Sequence, residues 1–490
     1  MSSELQSDFL PAALWNNRLF TGTWTMTASS ADVLEPATGH TLGSLACADA
    51  RQVAQSAQAA SLAQSAWFQL HYDERSAVLR RAAKTAEDNF EAIVQWLIQE
   101  SGSTRPKAEF ETSLSIKVLH ESAAMPSRSQ GEVLPSSAGR LSIARRRPLG
   151  VVGVISPFNF PLYLAIRAVA PALATGNGVV LKPDLRTAVC GGFVIARIFE
   201  LAGLPMGLLH VLPGGAEAGA ALTSDPHVAM IQFTGSTGAG RKVGEAAGRN
   251  LKKVSLELGG KNALIVLDDA DLELALANAT WGVYLHQGQI CMSTGRLLVQ
   301  RGIYERLLEK LVAKANSLVV GDPASGQVHL GPLINQQQRD HALHVVNASV
   351  QAGATLAAGG TSEGLFFKPT VLSGVTRDNP AFHEEIFGPV AVVVPFDTDA
   401  EAIELANDTE YGLSAAILSQ NVGRALKLGE QLRVGLLHIN DQTVNDEVVN
   451  PFGGVGASGN GTSIGGPANW EEFTQWQWLT VKGEAPAYPL

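Results

Sequence analysis

The chain changes its hydrophobic rhythm near residue 150. Before that point apolar residues recur at three-and-four spacing, the period of amphipathic helices. The spacing predicts a helix from Asp49, a residue suited to an N-cap, to Ala66. A second is predicted from Asp73 to Glu100, behind the start signal Tyr72-Asp73-Glu74, and a third from Pro106 to Ala123. These helices show no evident chemistry and read as packing. The segment before them, up to about residue 48, reads as irregular with short strands, including Arg18 to Trp24 and the turn Pro36-Ala37-Thr38-Gly39.

After Gly150 strands and helices alternate. Val151 to Ile155, Val179 to Leu181, Leu208 to Leu212, Val228 to Phe233 and Lys253 to Leu256 are nearly continuous apolar runs. Pro161 suits a first helical turn, Thr187 can cap a helix reaching about Ala202, and another helix starts near Gly238. Such runs, separated by helices, indicate a parallel sheet covered on both faces. A second alternation follows Glu257. It has strands at Ala263 to Leu267, Arg296 to Gln300, Val390 to Val394 and Leu436 to Asn440. Its helices are Asp271 to His286, Gly302 to Leu318, Gln336 to Ala352 and Ala400 to Asn407, which makes a second α/β domain.

Two polar stretches stand apart from both. Residues 126 to 147 alternate at Arg140-Leu141-Ser142-Ile143-Ala144, and the tail from Glu472 to Leu490 alternates from Phe473 to Leu479. Exposed edges of this kind invite pairing with another chain; a surface hairpin in a monomer is the alternative. There is no internal repeat and no low-complexity segment.

Composition narrows the function classes. A length of 490 residues suggests roughly three domains, and 46% apolar with 17% charged residues describes an ordinary globular protein. A formal net charge of -10 argues against a nucleic-acid or anionic-membrane surface. Three scattered cysteines, Cys47, Cys190 and Cys291, make neither a disulfide framework nor a metal site and fit a reducing compartment. The start MSSELQSDFL lacks a signal-peptide pattern, and no apolar run reaches membrane-span length, so the cytoplasm is the expected location.

Ligands of parallel sheets bind beyond the carboxyl ends of the strands. Asn159, Lys182, Gly215, Ser236 and Glu257 all fall there. The turn Gly235-Ser236-Thr237-Gly238-Ala239-Gly240 precedes a helix, where free N–H groups attract phosphate, but it departs from the G-x-G-x-x-G fingerprint. Taken singly, each has a plainer reading: a tight connection, a solvated lysine, a turn asparagine serving its own backbone. Glu257-Leu258-Gly259-Gly260-Lys261 and Gly288-Gln289-Ile290-Cys291-Met292 flank one strand and one helix, a unit able to fold back and bring carboxylate and thiol face to face. A thiolate with a nearby carboxylate base suits covalent acyl chemistry, although a lone cysteine is more often a small buried hydrophobe. The Asn159 amide would then donate to the oxyanion formed when Cys291 attacks a carbonyl.

Seven motifs in order carry a resemblance. They are Ser156-Pro157-Phe158-Asn159-Phe160-Pro161, Lys182-Pro183-Asp184, Phe233-Thr234-Gly235-Ser236-Thr237, Glu257-Leu258-Gly259-Gly260-Lys261, Gly288-Gln289-Ile290-Cys291, Glu385-Ile386-Phe387-Gly388-Pro389-Val390 and Pro451-Phe452-Gly453-Gly454. Over nearly the whole chain the sequence resembles the NAD(P)-dependent aldehyde dehydrogenase superfamily. Within it, His286-Gln287-Gly288-Gln289 and His438-Ile439-Asn440-Asp441-Gln442 add to a likeness to bacterial aromatic aldehyde dehydrogenases of the benzaldehyde, vanillin and salicylaldehyde type.

The resemblance implies two doubly wound α/β domains and a small β region. Residues 1–125 and 148–257 would form a Rossmann-like dinucleotide-binding domain and 258–455 the catalytic domain. Residues 126–147 and 472–490 would form an oligomerisation or bridging region, giving a homodimer or homotetramer. It makes Cys291 the nucleophile, Glu257 the base and Asn159 the oxyanion donor. Ser156, Pro157, Phe158, Lys182, Gly215, Gly235, Ser236, Leu258, Glu385 and Phe387 would line the NAD or NADP site. Lys182 and Ser236 would take the adenosine ribose and pyrophosphate, and Glu385 the nicotinamide ribose. The implied sequence is thiohemiacetal, hydride transfer, thioester, then hydrolysis by water activated at Glu257. Relatives that pass the acyl group to coenzyme A generally lack this glutamate.

Two positions depart from the family pattern. Leu185, followed by Arg186, replaces a glutamate common in NAD-preferring members, so both NAD and NADP are expected. Phe158 replaces the more usual tryptophan. Phe160, Tyr163, Leu164, Arg167, Ile290, Met292 and Phe452 are expected around a small-molecule aldehyde, with Val444 to Phe452 as the far wall, and apolar walls suit a flat ring. Arg167 supports a second reading, a succinate-semialdehyde type of enzyme, because arginine is a good carboxylate receptor; no second polar partner is evident beside it in the sequence. A cofactor-independent thiol hydrolase and a non-catalytic protein keeping the same fold are the readings from other classes.

Overall fold

Asp49 starts the first long helix, Ala50–Gln69, through a capping box: its carboxylate accepts from Gln52 N at 2.8 Å, and the Gln52 side chain accepts from Asp49 N at 2.8 Å. The computed structural model describes residues 8–27 and 29–488, so the outermost residues of the expected first and last segments lie outside the described residues. The helix expected from Asp73 to Glu100 is two helices, Tyr72–Asp88 and Phe90–Ser101. Asn89 separates them, and its side-chain amide donates to Thr85 O, a local bond that competes with the helical ladder. The helix Arg105–Ala124 completes this layer.

Seven strands form the first sheet. Lys253–Glu257, Val228–Thr234, Val151–Ile155, Gly178–Lys182 and Leu209–Val211 lie side by side in parallel. Arg18–Phe20 and then Trp24–Met26 add antiparallel to one edge. Val152, Val154 and Leu181 enter one apolar core while Val151, Ile155 and Val180 enter another, which is why these strands read as continuous apolar runs.

One expected cap is absent. Thr187 does not open a helix to Ala202; its hydroxyl is buried without a partner among the described residues. The chain instead passes through a 3-10 turn, Leu185–Thr187, capped by Asp184, and a π-helical turn, Val189–Phe193, before the helix Val194–Leu201. The free amides of Val189 and Cys190 are met from a distance by the Glu100 carboxylate, at 2.9 and 2.6 Å. A side chain far away in sequence thus does the work expected of Thr187.

The second sheet also has seven strands, centred on Asn262–Val266, Thr294–Gln300, Val390–Phe396 and Ser414–Leu418. Its helices include Leu272–Tyr284, Arg301–Ser317 and Gln336–Gln351. The two alternating polar stretches meet each other. Thr474–Lys482 pairs antiparallel with Arg140–Pro148 through nine residues, from Thr474 with Pro148 to Lys482 with Arg140. Gly131–Val133 adds to the other edge. Among the described residues no helix is long and apolar enough to cross a membrane.

Candidate active site

A cavity of about 830 Å³ opens at the carboxyl ends of the first sheet. Ser156, Pro157, Phe158, Asn159, Lys182, Gly235, Ser236, Leu258, Glu385, Phe387 and Cys291 all line it. Gly215 is exposed beside it, and its neighbour Ala216 supplies the wall. Ser236 caps the helix Thr237–Arg249 by accepting from Ala239 N, which turns that helix's N-terminus toward the cavity. The Ser156 hydroxyl is buried without a partner among the described residues. Strand ends, a helix N-terminus and an unsatisfied hydroxyl suit a phosphate-bearing dinucleotide.

Neighbouring side chains and backbone hold several of these residues in place. Arg186 grips Asp184 through Nε at 2.8 Å and Nη2 at 2.7 Å, and its guanidinium lies 4.1 Å from the centre of the Phe158 ring. Glu385 accepts from Gly260 N at 2.9 Å; a Cβ on Gly259 would fall 2.3 Å from its carboxylate, so that glycine makes room for the acid. Burial raises the Glu385 carboxyl to about 7, against the pull of the Gly260 N–H. Phe387 takes a left-handed φ of 52°, and the Gln338 amide donates to the carbonyls of Ile386 and Phe387 on either side of that bend.

A smaller cavity brings Cys291 and Glu257 together, lined also by Leu164, Arg167, Phe452 and Ile464. Glu257 ends its strand buried, with neither carboxylate oxygen bonded among the described residues. Burial lifts its pKa well above the carboxylate range; Arg167 opposes the shift and Asp446 adds to it. Burial likewise pushes the Cys291 thiol far up, reinforced by Glu385 and Glu257. Burial therefore opposes the charged form of both groups, the thiolate of Cys291 and the carboxylate of Glu257.

The expected aldehyde-pocket residues separate into two groups. Leu164, Arg167 and Phe452 reach the smaller cavity, and Ile290 and Met292 pack in the core flanking Cys291. Phe160 turns the other way, its ring centre 4.2 Å from the Lys107 ammonium and 6.0 Å from the His286 ring. Tyr163 is buried and donates to Asp446 Oδ2 at 2.9 Å. Arg167 does have a polar partner, contrary to the sequence reading: Asp446 pairs with its Nη1, and Ile464 O accepts from Nη2 at 2.9 Å. Burial works against the Arg167 charge, yet Asp446 holds that proton more tightly than usual.

Lys107 and Glu111, on a helix read as plain packing, form a fully buried ion pair. Lys107 Nζ donates to Asn159 O at 2.8 Å. Glu111 Oε1 accepts from Leu162 N and Tyr163 N, at 2.9 and 3.1 Å, which satisfies the first turn of the helix Pro161–Ala174. A Lys and a Glu four apart look like a surface pair in sequence; only their burial marks them.

This assembly is that of a dehydrogenase, and the chain belongs to the Aldehyde dehydrogenase family, which matches residues 24–479. It is an aldehyde oxidoreductase of an NAD(P)-dependent family, built on two α/β domains with parallel sheets. Vanillin dehydrogenase of Amycolatopsis sp. is 54% identical over 484 residues, 98% of this chain and 100% of that one. Benzaldehyde dehydrogenase [NAD(+)] of Pseudomonas putida is 47% identical, over 97% of this chain and 98% of its own. Betaine aldehyde dehydrogenase from Staphylococcus aureus, solved in complex with NAD+, shares the fold at a TM-score of 0.93 and 29% identity, covering 98% of this chain and 97% of that one.

Proposed function

We propose that this enzyme oxidises uncharged aromatic aldehydes of the benzaldehyde and vanillin type to their acids in the cytoplasm. The observation that carries this reading is the chamber beside Cys291. Leu164, Phe452 and Ile464 give it apolar walls, and its one arginine is already paired with Asp446. A paired guanidinium is a poor receptor for a distal carboxylate, which disfavours the semialdehyde reading. The substrates for which the two relatives described above are named point the same way.

A bound nicotinamide dinucleotide would supply the hydride acceptor, with Ser156, Pro157, Phe158, Lys182, Gly235, Ser236, Leu258, Glu385 and Phe387 to hold it and Gly215 at the rim. The chain's own groups do the rest. The Cys291 thiol gives up its proton, through the ionised Glu257 carboxylate to solvent, and its Sγ attacks the aldehyde carbon. The Asn159 amide donates to the resulting oxyanion, a contact typically worth about 10²–10³ in rate. Glu257 takes a proton from the water that cleaves the thioester, so the acyl group leaves as a carboxylic acid. Residues 1–125 and 148–257 serve as the dinucleotide-binding domain and 258–455 as the catalytic one. Residues 126–147 and 472–490 join copies into a homodimer or homotetramer, a role supported by the exposed Trp476 and Trp478. Both NAD and NADP are accepted, because Leu185 puts no carboxylate at the ribose position and Arg186 masks the one at Asp184.

The test is a panel of benzaldehyde, vanillin and succinate semialdehyde compared by kcat/KM. The two aromatic substrates are expected to lead, and a strong preference for the semialdehyde would overturn the reading.

A further inference from the structure

Arg167 is the only cation among the described residues lining the smaller cavity, which it shares with Cys291 and Glu257. Three contacts immobilise it. Nη1 meets Asp446 Oδ2, Nη2 donates to Ile464 O, and the guanidinium lies over the Phe452 ring at 4.8 Å. A Cβ on Gly465 would come within 2.7 Å of Nη2, so the backbone there is bare to let the group dock. Asp446 is fixed in turn, because the Tyr163 hydroxyl donates to the same Oδ2 at 2.9 Å. The pair spans 279 positions of the chain, from the helix after Asn159 to the loop before Phe452.

Resting on the aldehyde-oxidising reading above, we infer that Asp446 is a specificity-determining residue that cancels the Arg167 charge and so selects uncharged aldehydes over those with an anionic tail. Two effects act together. An incoming carboxylate finds both terminal nitrogens of the guanidinium engaged, leaving only Nε without a partner among the described residues, and Asp446 offsets the charge that would attract it, with Glu257 nearby as a second acid. Specificity built on a repulsive element in this way costs the preferred, neutral substrate little. With asparagine at 446, an amide oxygen still accepts from Tyr163 but carries no charge. The arginine then becomes a charge-assisted donor for an anionic tail.

The experiment uses two matched pairs of substrates that differ only by a distal carboxylate: benzaldehyde with 4-carboxybenzaldehyde, and butanal with succinate semialdehyde. For each pair the ratio of kcat/KM, neutral over anionic, is measured with NAD+ in wild type, Asp446→Asn, Arg167→Gln and the double variant. Asp446→Asn is expected to lower the ratio by about tenfold, the scale of one charge-assisted contact. Arg167→Gln leaves the Asp446 charge uncompensated and is expected to raise the ratio. The double variant is expected to return it toward wild type. If Asp446→Asn does not fold, Arg167→Gln decides alone by the direction of its shift. Equal losses on neutral and anionic substrates, or single-variant shifts of the same sign, would show that the pair is only structural and overturn the inference. A wild type that turns over only the anionic member of each pair would instead sink the aromatic reading itself.

Discussion

The Lys107 ammonium, fully buried, donates to the main-chain carbonyl of Asn159 at 2.8 Å. With Glu111 capping the next two free amides, the pair holds the turn that carries the proposed oxyanion donor. Lys107→Met removes one partner of a buried ion pair and strands the other, which typically costs ~3–5 kcal/mol. We expect a lower melting temperature, and also a fall in kcat of about tenfold to a hundredfold at temperatures where the protein stays folded, because small misplacements of a positioned group are expensive. A variant that melts earlier but keeps wild-type kcat would show that the pair only supports the fold.

Glu257→Gln removes the proposed base and a buried acid at once. Acyl-enzyme breakdown should slow by about 10²–10⁴, seen as a burst of reduced cofactor followed by a slow steady state. Stability should move the other way. The folded Glu257 pKa lies well above its ordinary 4.5, so between those values the folded state binds more protons than the unfolded one. Wild type therefore loses stability as pH rises above about 4.5, until the buried group ionises. The glutamine variant is expected to melt higher than wild type at pH 8, with the gap closing toward pH 5. A pH-independent gap would contradict the raised pKa.

Because burial and neighbouring acids hold the Cys291 proton tightly, the resting thiol should be sluggish toward alkylation. Inactivation by iodoacetamide in the absence of cofactor should be slow at pH 7.5. It should rise about tenfold per pH unit and show no plateau in the ordinary thiol range near ~8.5. A plateau at neutral pH would mean that the thiolate is already present. Cys291→Ala should abolish aldehyde oxidation without changing the melting temperature by more than a few degrees.

Arg186 masks Asp184 beside the larger cavity. Burial raises the Asp184 carboxyl, but the hydrogen bonds and charge of Arg186 outweigh it and hold the pKa below its usual value. Arg186→Ala leaves only the Lys182 charge to offset that carboxylate, and a 2′-phosphate would meet it. Its kcat/KM with NADP is expected to fall at least about tenfold more than with NAD, as expected for two like charges brought together. Equal losses with both cofactors would place Asp184 away from the 2′ position.

What the sequence determined by itself was whatever depends on near neighbours along the chain. Apolar runs between helices announced two α/β domains, and Asp49, Asp271 and Asn335 cap helices by contacts within three residues. Strand ends placed Asn159, Lys182, Ser236 and Glu257 where a ligand cavity opens, because a parallel sheet presents all its carboxyl ends on one side. One error was local, because Asn89 bonds its own helix and splits it; the other was tertiary, because Thr187 gives way to a distant acceptor. Tertiary structure alone decided the charges. Lys107 meets Asn159 across 52 positions, Glu100 meets Cys190 across 90, and Arg167 meets Asp446 across 279. In sequence each of these is a soluble side chain with no sign of its partner. Burial removes the water that would otherwise satisfy them, and only the folded chain specifies which distant group replaces it. Arg167 shows the consequence most directly: alone it reads as a receptor for an anionic substrate, and paired with Asp446 it becomes part of a neutral wall.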